Sequence, residues 1–143
     1  MNYNTKFLIG AHGSTASSSA TTASFDTLGF SFARIICVNN IADSITASTA
    51  NKVEEGDTTS SYATFAGVVH GVDWSSNTAS ASTSQARIIY NIDLRGRKRY
   101  LKCSFQSTAL SDPAPSIFCE LSDVGDSART VSATSSASNQ VGF

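Results

Sequence analysis

The stretch "ARIIYNIDLRGRKRYLKCSF" (86–105) constrains the fold more than any other part of the chain. Its first half alternates, with Ile88, Tyr90, Ile92 and Leu94 on one face and Arg87, Ile89, Asn91 and Asp93 on the other. Its second half sets Leu101, Cys103 and Phe105 against Lys102, Ser104 and Gln106. A period of two belongs to a strand with one buried face. Between the halves lies "RGRK", where Gly96 can take a positive φ without a Cβ penalty. The pattern predicts two strands joined as a hairpin, with Arg95, Arg97, Lys98 and Arg99 at its tip.

Other segments carry the same signal. "FSFARIICVN" (30–39) is apolar on both faces, as a buried central strand would be. "TKFLIGA" (5–11), "ANKVEEG" (50–56), "SYATFAGVV" (61–69) and "SIFCELSD" (116–123) read as further strands. The prolines of "DPAP" belong in a loop or on an edge. Helical signals are scarce: "NNIADSITASTANK" (39–52) holds at most a helical turn, with Asp43 as its cap. The expected class is all-β, an antiparallel β-sandwich, jelly-roll-like, of about six to nine strands.

Composition shapes what surrounds that core. Ser, Thr and Ala make up 58 of the 143 residues, and only 15% are charged, against about 25% in ordinary domains. "GSTASSSATTAS" (13–24), "WSSNTASASTSQ" (74–85) and "ARTVSATSSASNQ" (128–140) bury too little to order themselves. They read as loops and arms that order against another surface. The expected organisation is an N-terminal strand and small-residue arm (1–24), a sandwich core (25–126) and a C-terminal arm (127–143).

Several function classes are disfavoured. A net charge of −1 gives no bulk attraction to nucleic acid, so no nucleic-acid partner is expected. The apolar run "FLIG" is far short of the roughly 20 residues of a membrane span, so the expectation is a soluble chain with no membrane partner. Cys37, Cys103 and Cys119 are odd in number and form no C-x-x-C pair, which points to buried, reduced thiols made in a reducing cytoplasm. His12 and His70 lie far apart, with no nucleophile motif around either. Glu54 and Glu55 are adjacent on a strand and would face opposite ways. No phosphate-binding glycine motif occurs. We therefore expect no catalytic residues, no metal and no cofactor, and a protein that is not an enzyme.

The basic tip holds what chemistry remains. Five of the ten Lys and Arg residues lie within 95–102. Phosphate binding, a solvated turn that blocks edge pairing, and a protein contact all compete as readings. The protein contact is preferred, because Arg pairs with carboxylates through two parallel hydrogen bonds and is enriched at interfaces.

Three stretches also carry a resemblance: "FDTLGFSF" (25–32), "KVEEGD" (52–57) and "IDLRGRKRYLKC" (92–103). In this order they resemble a group of small tailed-bacteriophage virion proteins encoded beside the major capsid protein, whose members typically show "IDTLGYDY", "LKVEESDD" and "VDLRGRKRYLKV". The resemblance implies a head decoration, or cement, protein on the capsid exterior. It also implies a homo-oligomer, with a trimer as the usual form, whose partners are the major capsid protein and sister subunits. Arg95, Arg97, Lys98 and Arg99 would be its capsid or subunit contacts. The chain departs from the group at "GDTTSSY", where the acidic turn usually runs on, and in its long Ser/Thr-rich C-terminus. The alternative is a receptor- or glycan-binding β-domain of a phage tail or fibre, acting through Trp74 or Tyr62.

Overall fold

The computed structural model describes residues 4–12, 20–38, 50–69, 71–73, 87–106, 116–123 and 138–142. Nine strands are described: β1 (Thr5–His12), β2 (Thr21–Asp26), β3 (Phe32–Val38), β4 (Lys52–Thr58), β5 (Ser61–Thr64), β6 (Arg87–Asp93), β7 (Tyr100–Phe105), β8 (Ser116–Ser122) and β9 (Ser138–Gly142). No helix occurs among the described residues. The helical turn expected near Asp43, and Trp74 and His70, lie outside them.

The strands form two sheets, one in the order β1-β8-β3-β6-β9 and one in the order β2-β7-β4-β5. Every pairing is antiparallel except β6 with β9, which is parallel. The chain is thus an all-β sandwich, as the alternation predicted. β3, apolar on both faces, lies in the middle of the larger sheet between β8 and β6.

The inner faces of the two sheets share one core. The larger sheet contributes Ala33, Ile35, Cys37, Ile88, Tyr90, Ile92, Ile117, Cys119 and Leu121, and the smaller one Ala23, Phe25, Val53, Leu101, Cys103 and Phe105. Phe65, Val68 and Leu94 close the cluster from the connections. Burial of this apolar surface is the main force holding the sheets together.

Two strands escaped the sequence reading. β2 is "TTASFD", placed partly in a small-residue arm, yet Ala23 and Phe25 point into the core and alternate with exposed Thr22, Ser24 and Asp26. β9 lies inside the expected C-terminal arm and pairs with β6. Ser- and Thr-rich segments carry little intrinsic signal, and they become strands when a neighbour offers backbone partners.

The expected hairpin at 94–99 is corrected. β6 and β7 lie in different sheets, so "RGRK" is a corner that carries the chain across the sandwich. Alternation identifies the buried face of each strand, but a hairpin and a corner both present that face to the same core. Gly96 does adopt φ 79°. It closes a turn in which the Arg97 N–H donates to the Leu94 carbonyl at 3.0 Å, with glycine at the position where such turns demand a positive φ. Consecutive strands pair directly at β4–β5, where Thr58 lies opposite Ser61.

Where β1 crosses close to β2, Gly10 makes the approach possible. A Cβ there would lie 2.5 Å from the Ala23 Cβ and from the Phe25 ring. Gly10→Val should therefore cost about 1–3 kcal/mol, the usual range for overpacking. Urea denaturation checks this, and an unchanged midpoint would show that β1 and β2 do not sit this closely in solution.

Candidate functional site: a charged corner and an open strand edge

The three stretches that carry the resemblance come together in space. The corner 94–99 lies beside the β2–β3 connection: the Arg99 carbonyl accepts from the Thr27 N–H at 2.9 Å and from the Thr27 hydroxyl at 2.6 Å. The Leu94 N–H donates to the Ser31 carbonyl at 2.9 Å. β7 lies between β2 and β4, which brings "KVEEGD" to the same place.

Each cation there meets a carboxylate of its own chain. Arg99 binds Asp26 through both edges, Nε to Oδ1 at 2.9 Å and Nη2 to Oδ2 at 2.7 Å. Arg95 binds Asp93, with Nη2 and Oδ2 2.5 Å apart. Arg97 lies 3.9 Å from Glu55 and stacks over Phe65, 4.2 Å from the ring centre. Lys98 reaches Asp57 at 2.7 Å, and its N–H donates to Glu55 at 3.2 Å. Glu54 receives Lys102 at 2.8 Å and Lys52 at 3.1 Å. The six cations face five carboxylates, a formal balance of +1. The clustered charge seen in the linear sequence is thus largely neutralised in the fold. A phosphate chain would meet about one unmatched charge here, too little for strong counterion release.

Glu54 and Glu55 have separate partners, in keeping with their opposite faces. Burial works against the Glu54 carboxylate, but Lys102 and Lys52 outweigh it and hold its pKa below the usual value. The hydrogen bonds from Arg99 lower Asp26 from 3.8 to about 2, and those from Arg95 lower Asp93 from 3.8 to about 2. A carboxyl group with a depressed folded pKa stabilises the fold above its unfolded pKa. That contribution is complete above about pH 4 and is lost as pH falls through about 2. Both pairs are more than a third exposed, so solvent screening limits each to under about 1 kcal/mol. Tm should be flat from mildly acidic to neutral pH and decline below about pH 4. Carboxyl NMR titration should place Asp26 and Asp93 near 2; midpoints near 3.8 would mean that the pairs do not form in solution.

A second feature lies on the outer face of the larger sheet. Ile9, Phe118, Ile36 and Ile89 stand in register across β1, β8, β3 and β6. Exposure rises along this apolar row toward the edge, from 4% at Ile89 to 75% at Ile9. Phe7, two residues before Ile9 on β1, is 70% exposed. Among the described residues β1, eight residues long, is an edge strand, and Lys6 is the sole Asp, Glu, Lys, Arg or Pro within it. Natural edges usually carry charge, proline or a cover against pairing with another chain. The sequence held a signal for this surface: "KFLIG" is apolar on both faces, which suits a central strand or an edge that meets a partner.

Among the described residues no group of three His, Cys, Asp or Glu side chains is placed to hold a metal ion. Tyr62, the aromatic considered for glycan stacking, is half-buried, and Lys102 Nζ lies 4.8 Å from its ring centre.

Among the described residues, the fold and these two surfaces define an all-β sandwich with a self-neutralised corner and an apolar open edge. Compared with protein families, characterised proteins and solved structures, the chain matches none.

Proposed function

We propose that this chain is a structural virion protein that decorates a phage capsid from outside and stabilises it without catalysis. Its partners would be the major capsid protein and sister subunits, with a trimer as the decorating unit. The observation that carries the reading is the exposed Phe7–Ile9 edge of β1, continuous with the apolar row behind it. Exposed apolar side chains on a strand at the edge of the described sheet suit attachment to another protein's surface.

Two further features support it. The strand orders β1-β8-β3-β6-β9 and β2-β7-β4-β5 place successive strands from β1 to β8 alternately in the two sheets, apart from the β4–β5 hairpin, and β9 joins the sheet that already holds β8. We read this as a jelly roll, an architecture found in viral capsid domains as well as in lectins and cupins. The convergence of the three resembling stretches on one corner explains why they would occur together: they form one charge-matched joint. Fold alone does not assign function, so the capsid reading rests on the edge and the resemblance together.

Arg95, Arg97, Lys98 and Arg99 enter this proposal as rim contacts. Each already has a partner within the chain, so contact with a capsid carboxylate would exchange one pairing for another. Binding should therefore depend mainly on apolar burial and only weakly on salt.

Co-sedimentation with undecorated phage heads at low and at moderate salt tests the proposal. Saturable binding at a fixed ratio to capsid subunits, largely kept at moderate salt, is expected. Binding lost at moderate salt would move the contact to the arginine corner. No binding at either salt would overturn capsid decoration.

A further inference from the structure

Cys37 lies on β3 of the larger sheet and Cys103 on β7 of the smaller one. Both side chains point into the core, both are fully buried, and their Sγ atoms are 3.4 Å apart. The two residues are 66 positions apart in sequence. Cys119, the third buried thiol, lies on β8, in the same sheet as Cys37, and makes no such sulfur contact among the described residues.

We propose that Cys37 and Cys103 are an oxidisable pair that closes into an inter-sheet disulfide and covalently staples the two faces of the sandwich. The inference is independent of the capsid reading. A disulfide needs the sulfurs at about 2.05 Å, so closure requires an approach of roughly 1.4 Å. Small χ1 rotations on two facing strands can supply much of that distance. A tie across this position would link the sheets through a long loop, which restricts the unfolded chain strongly.

The chemistry balances with a hydroperoxide as oxidant. One thiol, as thiolate, attacks the peroxide; its sulfur takes one oxygen and becomes a sulfenic acid, and water leaves. The second sulfur then attacks the sulfenic sulfur, the S–S bond forms and a second water leaves. Two thiols and one hydrogen peroxide give one disulfide and two waters. Reaction needs a thiolate, and the Cys37 hydrogen bond together with burial pushes the Cys103 thiol well above its ordinary pKa. The tightly folded state therefore reacts slowly, and closure proceeds through transient opening of the sandwich.

The test uses the full chain, purified under reductant and then exposed to hydrogen peroxide at mildly elevated temperature. Intact mass should fall by two hydrogens, and a non-reducing peptide map should join Cys37 to Cys103. Tm should rise by roughly 5–15 °C and return to its starting value with dithiothreitol. Cys119→Ser should still form the bond, whereas Cys37→Ser and Cys37→Ala should not. Three outcomes would overturn the proposal: oxygen added to thiols without a crosslink, a crosslink through Cys119, or a crosslink that lowers Tm. An unchanged mass under conditions that oxidise the same chain opened in urea would overturn it as well.

Discussion

Replacing Phe7 and Ile9 together by serine is expected to weaken binding to undecorated heads by at least about a hundredfold. Full burial of a Phe or Ile side chain contributes about 1.5–3 kcal/mol, so two such contacts contribute about 3–6 kcal/mol to each subunit. A factor of ten corresponds to about 1.4 kcal/mol. Repeated attachment across a multimer amplifies the loss further. The folded chain should tolerate the change, because both side chains already face solvent, at 70% and 75% exposure. Sedimentation binding isotherms and a thermal melt, measured on the same preparation, separate the two effects. A variant that binds like the parent would remove β1 as the docking edge. A variant that binds poorly but also melts early would show that Phe7 and Ile9 serve the fold, and would remove them as contacts.

Phe105→Ala should have the opposite profile. Phe105 is fully buried at the end of β7, opposite Thr21 of β2, within the shared core. Truncating a buried Phe costs about 3–5 kcal/mol through lost transfer energy and the cavity left behind. Whole domains are stable by only about 5–15 kcal/mol. Tm should therefore fall by roughly 10–20 °C. Phe105→Leu, which keeps most of the volume, should cost about 1 kcal/mol. Calorimetry of the two variants checks this, and a loss below about 1 kcal/mol for the alanine variant would mean that the sandwich repacks around the site. Phe7 and Phe105 are the same residue type on alternating strands, and only their positions in the sandwich give them different work.

The charged corner shows how far linear reading reached. Arg95, Arg97, Lys98 and Arg99 were visible as a cluster because they are close in sequence. Asp93, the partner of Arg95, lies two residues from it, but Glu55, Asp57 and Asp26, the partners of Arg97, Lys98 and Arg99, are 41 to 73 positions away, so local inspection could not match them. An excess of positive charge in a short window became a near-neutral network once β2, β7 and β4 lay side by side. The cations thereby changed from unpaired candidate contacts to members of a structural joint. β2 and β9 were hidden for a different reason. Their Ser, Thr, Ala and Asn residues are compatible with loops, and their strand state depends on hydrogen bonds supplied by β7 and β6.

The sequence by itself determined the local matters. Period-two alternation marked β6 and β7, an unbroken apolar run marked β3 as central, and glycine at position 96 marked a turn with positive φ. These follow from steric and burial rules that act within a few residues. Tertiary structure alone decided which strands share a sheet, that 94–99 is a corner, which carboxylates Arg97, Lys98, Arg99 and Lys102 meet, and that Cys37 faces Cys103. Those outcomes depend on contacts between residues far apart in the chain. Many pairings satisfy the same alternation, and the one adopted is selected by packing both inner faces into a single core while leaving few backbone groups without partners.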